Sequence, residues 1–126
     1  MATEIQVAVD CVAPAQLVRF WAAALGYVTE SSPAGSDWAT AADPAGTGPR
    51  LLFHRVPEPK VVKNRLHLDV RAGGPRGTPK DAKRAAVDAA AEWLCSIGAS
   101  HVRTVEDESD YFAVLLDPES NEFCVC

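Results

Sequence analysis

The chain has 126 residues, 48% of them apolar and 23% charged, with a formal net charge of −5. It is long enough to bury a core without disulfide or metal staples, and too apolar for a disordered tail. The 17 acidic against 12 basic residues leave no basic patch for nucleic acid, and no apolar run nears the ~20 residues of a membrane span. The stretch Met1 to Gln6 has neither the basic start nor the apolar region of a secretory signal, so a cytoplasmic location is expected. In a reducing compartment Cys11, Cys95, Cys124 and Cys126 are expected as free thiols. The lone Cys124-x-Cys126 pair is a weak zinc signal without a second such pair.

The first predicted strand is Glu4 to Asp10, with Ile5, Val7 and Val9 on an apolar face and Gln6, Ala8 and Asp10 on the other. A helix follows, because Leu17, Phe20, Trp21, Ala24 and Leu25 recur at helical spacing. Pro14 suits its first turn, and Gly26 suits a left-handed cap. Strands are then expected at Tyr27 to Ser31, at Trp38 up to the Asp43-Pro44 turn, and from Arg50 to Val56. Pro57 to Lys63 reads as a linker.

The same order then repeats. Asn64 to Val70 alternates Leu66, Leu68 and Val70 against Arg65, His67 and Asp69, which sets His67 opposite Gln6 of the first strand. A second helix is expected with Thr78 as N-cap, Pro79 at the first position and Gly98 as C-cap. Ala86, Ala89, Ala90, Trp93, Leu94 and Ile97 form its predicted core face. Strands at Ser100 to Val105 and from Phe112 to the Asp117-Pro118 turn precede a last one at Glu122 to Cys126. The fold class is therefore α+β: two β-α-β-β-β modules, about 3–56 and 64–126, in one domain spanning 1–126.

This arrangement resembles the vicinal oxygen chelate superfamily of glyoxalase-like lyases, extradiol dioxygenases and bleomycin- or fosfomycin-resistance proteins. The resemblance is carried by Phe20-Trp21-Ala-Ala-Ala-Leu-Gly26-Tyr27, by Asp117-Pro118-Glu-Ser-Asn121-Glu-Phe123, and by the run from Pro49 to Asp69. It implies a curled, mostly antiparallel sheet with helices on its convex side and a concave cup that takes a small-molecule ligand. It also implies a homodimer, since relatives often pair modules across a two-fold interface. Metallated relatives place ligands on the first and last strands of each half. Here those positions hold Gln6 and His67, then Leu52 and Cys124. Only His67 is a good donor among them, so no cofactor is expected at the usual metal position. Gln6, His67 and Cys124 or Glu122 remain the set for a thiolate-bearing zinc site.

Within that resemblance, His67 and Glu122 are the candidate catalytic residues, because an imidazole and a carboxylate are proton-exchanging groups. Gln6, His54, Arg65, Trp38, Phe53 and Cys124 are the candidate ligand contacts, Arg65 as a partner for an anionic group and the aromatics as walls. Each has a plainer reading as a core or surface residue. The activity expected is that of a glyoxalase-like binding protein or enzyme of unassigned reaction. A metal-dependent lyase or dioxygenase, or a drug-sequestering resistance protein, is the alternative.

Overall fold

The computed structural model describes all of residues 1–126. The chain divides into two compact units, Met1–Val61 and Val62–Cys126. The first unit holds β1 (Gln6–Cys11), α1 (Pro14–Leu25), β2 (Val28–Thr29), β3 (Trp38–Ala42) and β4 (Arg50–Arg55). The second holds β5 (Asp69–Val70), α2 (Lys80–Ser96), β6 (Ser100–Glu106), β7 (Tyr111–Leu116) and β8 (Glu122–Val125). Each unit thus has the predicted β-α-β-β-β order and builds its own four-stranded mixed sheet.

The two sheets share one topology. In the first the strand order is β1-β4-β3-β2, and in the second it is β5-β8-β7-β6. The first strand of each unit pairs parallel with the last, and the other two pairings are antiparallel. A helix must intervene between the parallel partners, because a tight turn cannot join parallel strands.

In the first unit α1 packs Leu17, Val18, Phe20 and Trp21 onto the face of β3 and β4 that carries Ala39, Ala41, Leu51 and Phe53, all buried. Phe20 and Trp21 meet edge to face at 5.3 Å. Pro14 opens the helix and Gly26, at φ 69°, closes it, as expected. Phe53 therefore lies in the core beneath α1 and is not the ligand wall expected of it. Its neighbours Leu52 and His54 take the opposite face through strand alternation.

In the second unit the buried stripe of α2 is Val87, Ala91 and Leu94; Leu94 is on the predicted face, while Val87 and Ala91 lie one residue beyond the predicted Ala86 and Ala90. Trp93 is consequently 47% exposed instead of buried. Clustered alanines gave the periodicity no large side chain with which to fix the phase of the stripe. Thr78 does not cap the helix; its hydroxyl donates to the Pro75 carbonyl, and Pro79 takes the cap position. At the far end Ile97 is the C-cap and Gly98 follows with positive φ.

Both modules turn into their last strand through an Asp-Pro corner. Asp43 accepts hydrogen bonds from the backbone N–H groups of Ala45, Thr47 and Gly48, and these donors hold its carboxyl below the usual range. Asp117 accepts from the N–H of Glu119 and of Asn121, and from the Asn121 amide. The fourth residue of each corner is left-handed: Gly46 at φ 72° in one, Ser120 at φ 66° in the other.

Ser120 adopts that conformation without being glycine. Left-handed backbone costs an L-residue roughly 1–2 kcal/mol, against about 0.5–1 kcal/mol for the extra unfolded-state entropy of glycine. Ser120→Gly is therefore expected to raise the unfolding free energy by about 0.5–1 kcal/mol in urea titrations, while Ser120→Val lowers it.

Candidate functional site

Each sheet has one face covered by its helix and one that is not. In the first unit the uncovered face carries Gln6, Asp10, Arg50, His54 and Trp38, with Asp10 paired to His54 and His54 to Trp38 in the strand register. Arg50 is the hub of this face. Its Nε donates to Glu30 Oε1 at 2.7 Å and its Nη1 to Gln6 Oε1 at 2.7 Å. The Arg50 guanidinium, with a smaller contribution from the Thr40 hydroxyl, keeps the Glu30 carboxyl below its usual range. The oxygen by which Gln6 was to act as a ligand is therefore already engaged by a guanidinium. His54 and Trp38 are exposed.

The uncovered face of the second unit is chemically richer. Only Asp69 and Val70 of the predicted Asn64–Val70 strand are regular, yet the preceding residues still run alongside β8. Two contacts hold them there. The Asn64 amide donates to the Glu122 carbonyl at 3.1 Å and accepts from the Glu122 N–H at 3.3 Å, so a side chain substitutes for a ladder pair. Further on, Cys124 N–H donates to the Leu68 carbonyl at 3.0 Å and Cys126 N–H to the Val70 carbonyl at 2.9 Å. Leu66 falls in the irregular stretch and is 88% exposed instead of packing toward α2. In the first unit Ile5 lies just ahead of β1 and is 70% exposed for the same reason, the regular strand beginning one residue later. Arg65 is exposed and outside any strand.

The parallel register places Asp69 beside Cys124. Phe123 and Val125 are buried on the side of α2, so Cys124 and Glu122 take the uncovered face by alternation. His67 sits two residues before Asp69, and its Nε2 is 3.3 Å from Asp69 Oδ1. One donor atom each from His67, Asp69 and Cys124 lies within 4.8 Å of the others. His67 and Asp69 are about half exposed, and Cys124 beneath them is buried. The alternation visible in the sequence already sets Asp69 on the face of His67, but no local pattern marks its proximity to Cys124, which comes from the pairing of β5 with β8.

Glu122 belongs to a different contact. Its carboxylate pairs with Lys63 Nζ at 2.7 Å, and that cation is the main reason its carboxyl is held below the usual range. A carboxylate kept ionised by a lysine is a poor proton donor near neutrality. The Cys124 thiol moves the other way. Burial pushes it up, and the carboxylates of Asp69 and Glu122 push it further. Arg103, across the β7 register, works weakly against this. As it stands Cys124 is a protonated, shielded thiol, not an activated nucleophile.

The divalent cation implied by the resemblance can be tested against these residues. One imidazole, one carboxylate and one thiol fit a borderline-soft tetrahedral ion and do not fit an all-oxygen octahedral one. Asp69 adds a carboxylate donor beside His67 on this face, while the carboxylate of Glu122 is engaged by Lys63.

A family model described as glyoxalase-like domain matches residues 6–126. No curated protein matches the chain. Several solved structures share its fold. A glyoxalase/bleomycin resistance/dioxygenase family enzyme from Burkholderia phytofirmans PsJN superposes with TM-score 0.70 at 18% identity, covering 95% of this chain and 94% of that one. A protein from Agrobacterium tumefaciens gives TM-score 0.70 at 21% identity, covering 99% and 96%. The fosfomycin resistance protein FosX from Listeria monocytogenes, a mutant form complexed with Mn(II) and 1S,2S-dihydroxypropylphosphonic acid, gives TM-score 0.72 at 10% identity, covering 99% and 90%.

The state of Cys124 has a direct consequence for its reactivity. In the native chain its alkylation by iodoacetamide, followed by mass spectrometry, is expected to have a pH midpoint above that of free cysteine. Asp69→Asn removes one of the charges opposing the thiolate and moves that midpoint down. Labelling of Cys124 as fast as free cysteine would contradict the burial and charge argument.

Proposed function

The chain belongs to the glyoxalase-like domain family, and from that premise we propose that it binds an oxygen-rich small molecule on the uncovered sheet face of its second module, against His67 and Asp69. The observation that carries this reading is the convergence of His67, Asp69 and Cys124 on one exposed patch. An imidazole half open to solvent beside a carboxylate can accept a proton from a bound hydroxyl and return it. Asp69 orients the ring and offsets its charge when protonated. Lys63, neutralised by Glu122, fixes the adjoining edge and leaves the proton chemistry to His67. A cation, when bound there, would polarise a ligand oxygen and lower the pKa of a bound water. The three-donor set is the specific reason to keep metal-assisted lyase chemistry as the second reading beside a binder that only sequesters. Turnover of a bound ligand separates the two.

The test is amide chemical-shift mapping of the chelator-treated full chain. The panel contains fosfomycin, 1S,2S-dihydroxypropylphosphonic acid, vicinal diols and α-hydroxy carbonyl compounds. The expected result is a set of shifts grouped at residues 67–70 and 122–125, lost in His67→Ala and kept in His101→Ala. His101 is an exposed residue whose Nε2 already meets the Thr104 hydroxyl at 2.8 Å. Shifts grouped elsewhere, or none across the panel, would reject the placement.

We also propose that the protein is a homodimer. In the second unit Val62 and Leu66 leave large apolar side chains 76% and 88% exposed, and a second copy is the occupant that covers them. Light scattering at micromolar concentration is expected to give twice the mass of one chain. Leu66→Asp is expected to shift it toward a single chain.

A further inference from the structure

The second unit has a further cleft, of about 540 Å³, beyond the carboxyl ends of the parallel strands β5 and β8. None of His67, Asp69 and Cys124 lines it. Its walls are the loop from Gly74 to Thr78, the first turn of α2 and the turn between β6 and β7. We propose that this cleft is a second ligand site, separate from the sheet face, which takes small organic phosphates carrying two phosphoryl groups.

Charge is the first argument. Arg71, Arg76, Lys80 and Lys83 line the cleft, against the carboxylates of Glu108 and Asp110. The two lysines are already committed. Lys83 Nζ pairs with Asp110 at 2.7 Å, while Lys80 Nζ is held by the Asp107 carbonyl at 2.5 Å and by Glu106 at 3.5 Å. Neither Arg71 nor Arg76 pairs with a carboxylate of the protein. A chain with a net charge of −5 thus keeps two uncommitted guanidiniums around one concavity. Each guanidinium matches a pair of phosphate oxygens, which a lysine ammonium cannot do, so two of them suit two phosphoryl groups.

The backbone of the loop is the second argument. The Cys126 carbonyl accepts the N–H groups of Ala72 at 2.7 Å and Gly73 at 2.9 Å, which ties the loop to the end of β8. At Gly73 a Cβ would stand 2.8 Å from Lys83 Cγ and 3.2 Å from the Cys126 carbonyl carbon, so the missing side chain lets the Lys83 stem close the wall. Further on, the Thr78 N–H and hydroxyl both donate to the Pro75 carbonyl, at 3.1 and 2.6 Å. The turn so closed leaves the N–H groups of Arg76 and Gly77 without an acceptor in the protein. Successive free N–H groups of this kind offer an anion a concave set of donors.

Place and size agree with this. The volume falls within the ~300–1,000 Å³ usual for small-molecule sites. Outside the carboxyl ends of parallel strands is also where open sheets commonly take ligands.

Amide chemical-shift mapping of the full chain with pyrophosphate, at fixed ionic strength, tests the proposal. One saturable set of shifts is expected at residues 71–83 and 107–111, and it is kept in His67→Ala. Arg71→Gln combined with Arg76→Gln is expected to weaken pyrophosphate binding by at least about tenfold. Both arginines are exposed, so the double variant keeps its fold, which the rest of its spectrum verifies. Arg19→Gln, at an exposed position of α1, is expected to leave the affinity unchanged. Inorganic phosphate is expected to move the same residues with lower affinity. Shifts that do not saturate, shifts confined to residues 67–70 and 122–125, undiminished affinity in the double variant, or equal affinity for inorganic phosphate would overturn the proposal. Because binding here is expected to survive His67→Ala, this site and the sheet-face site stand or fall separately.

Discussion

The pairing of β5 with β8 is the contact on which the second module's chemistry depends. It is short, only Asp69 with Cys124 and Val70 with Val125 in regular register. It nevertheless carries His67 and Asp69 to the side of a cysteine more than 50 positions away in sequence. A parallel pairing of this kind needs a long crossover, and here the crossover includes α2 and two further strands. The pairing is extended by the Asn64 amide, which makes both hydrogen bonds to Glu122 that a strand residue would have made. Losing that register would separate the donors and expose the edge of β8 together.

The two modules share a plan but not a chemistry. In each, an Asp-Pro corner gathers backbone N–H groups onto a carboxylate and aims the last strand back beside the first. In the first module the equivalent face is occupied by Arg50 bridging Glu30 and Gln6, with both partners of the ion pair more than 40% exposed. Such an exposed pair adds little stability, but it fixes the amide oxygen of Gln6 in place. In the second module the corresponding face holds an imidazole, a carboxylate and a buried thiol, with Arg103 two strands away in register. The two sheets share one strand order, and their side chains place the imidazole and the thiol on different partners from those of the first module.

Much of the architecture was legible from sequence. Alternation in Gln6–Asp10, the helical spacing of Leu17, Phe20 and Trp21, and the paired Asp43-Pro44 and Asp117-Pro118 corners gave the repeated β-α-β-β-β order and the α+β class, because these patterns arise from local periodicity and turn chemistry. Errors fell where local pattern was weak. Trp93 was misplaced because an alanine-rich helix leaves the phase of its buried stripe undetermined, and Leu66 because an exposed edge segment need not complete its strand.

The sequence by itself determined which residues could do chemistry on which strand: His67 on the first strand of the second module, Cys124 and Glu122 on the last. Tertiary structure alone decided their company. It paired Glu122 with Lys63, gave Gln6 to Arg50, put Phe53 beneath α1, and set Asp69 beside Cys124. The physical reason is that a strand's period dictates which way a side chain points, whereas its neighbours come from inter-strand register. The local pattern excludes a one-residue slip, but which strand lies alongside, and which of the remaining registers it takes, is settled by contacts between segments far apart in the chain.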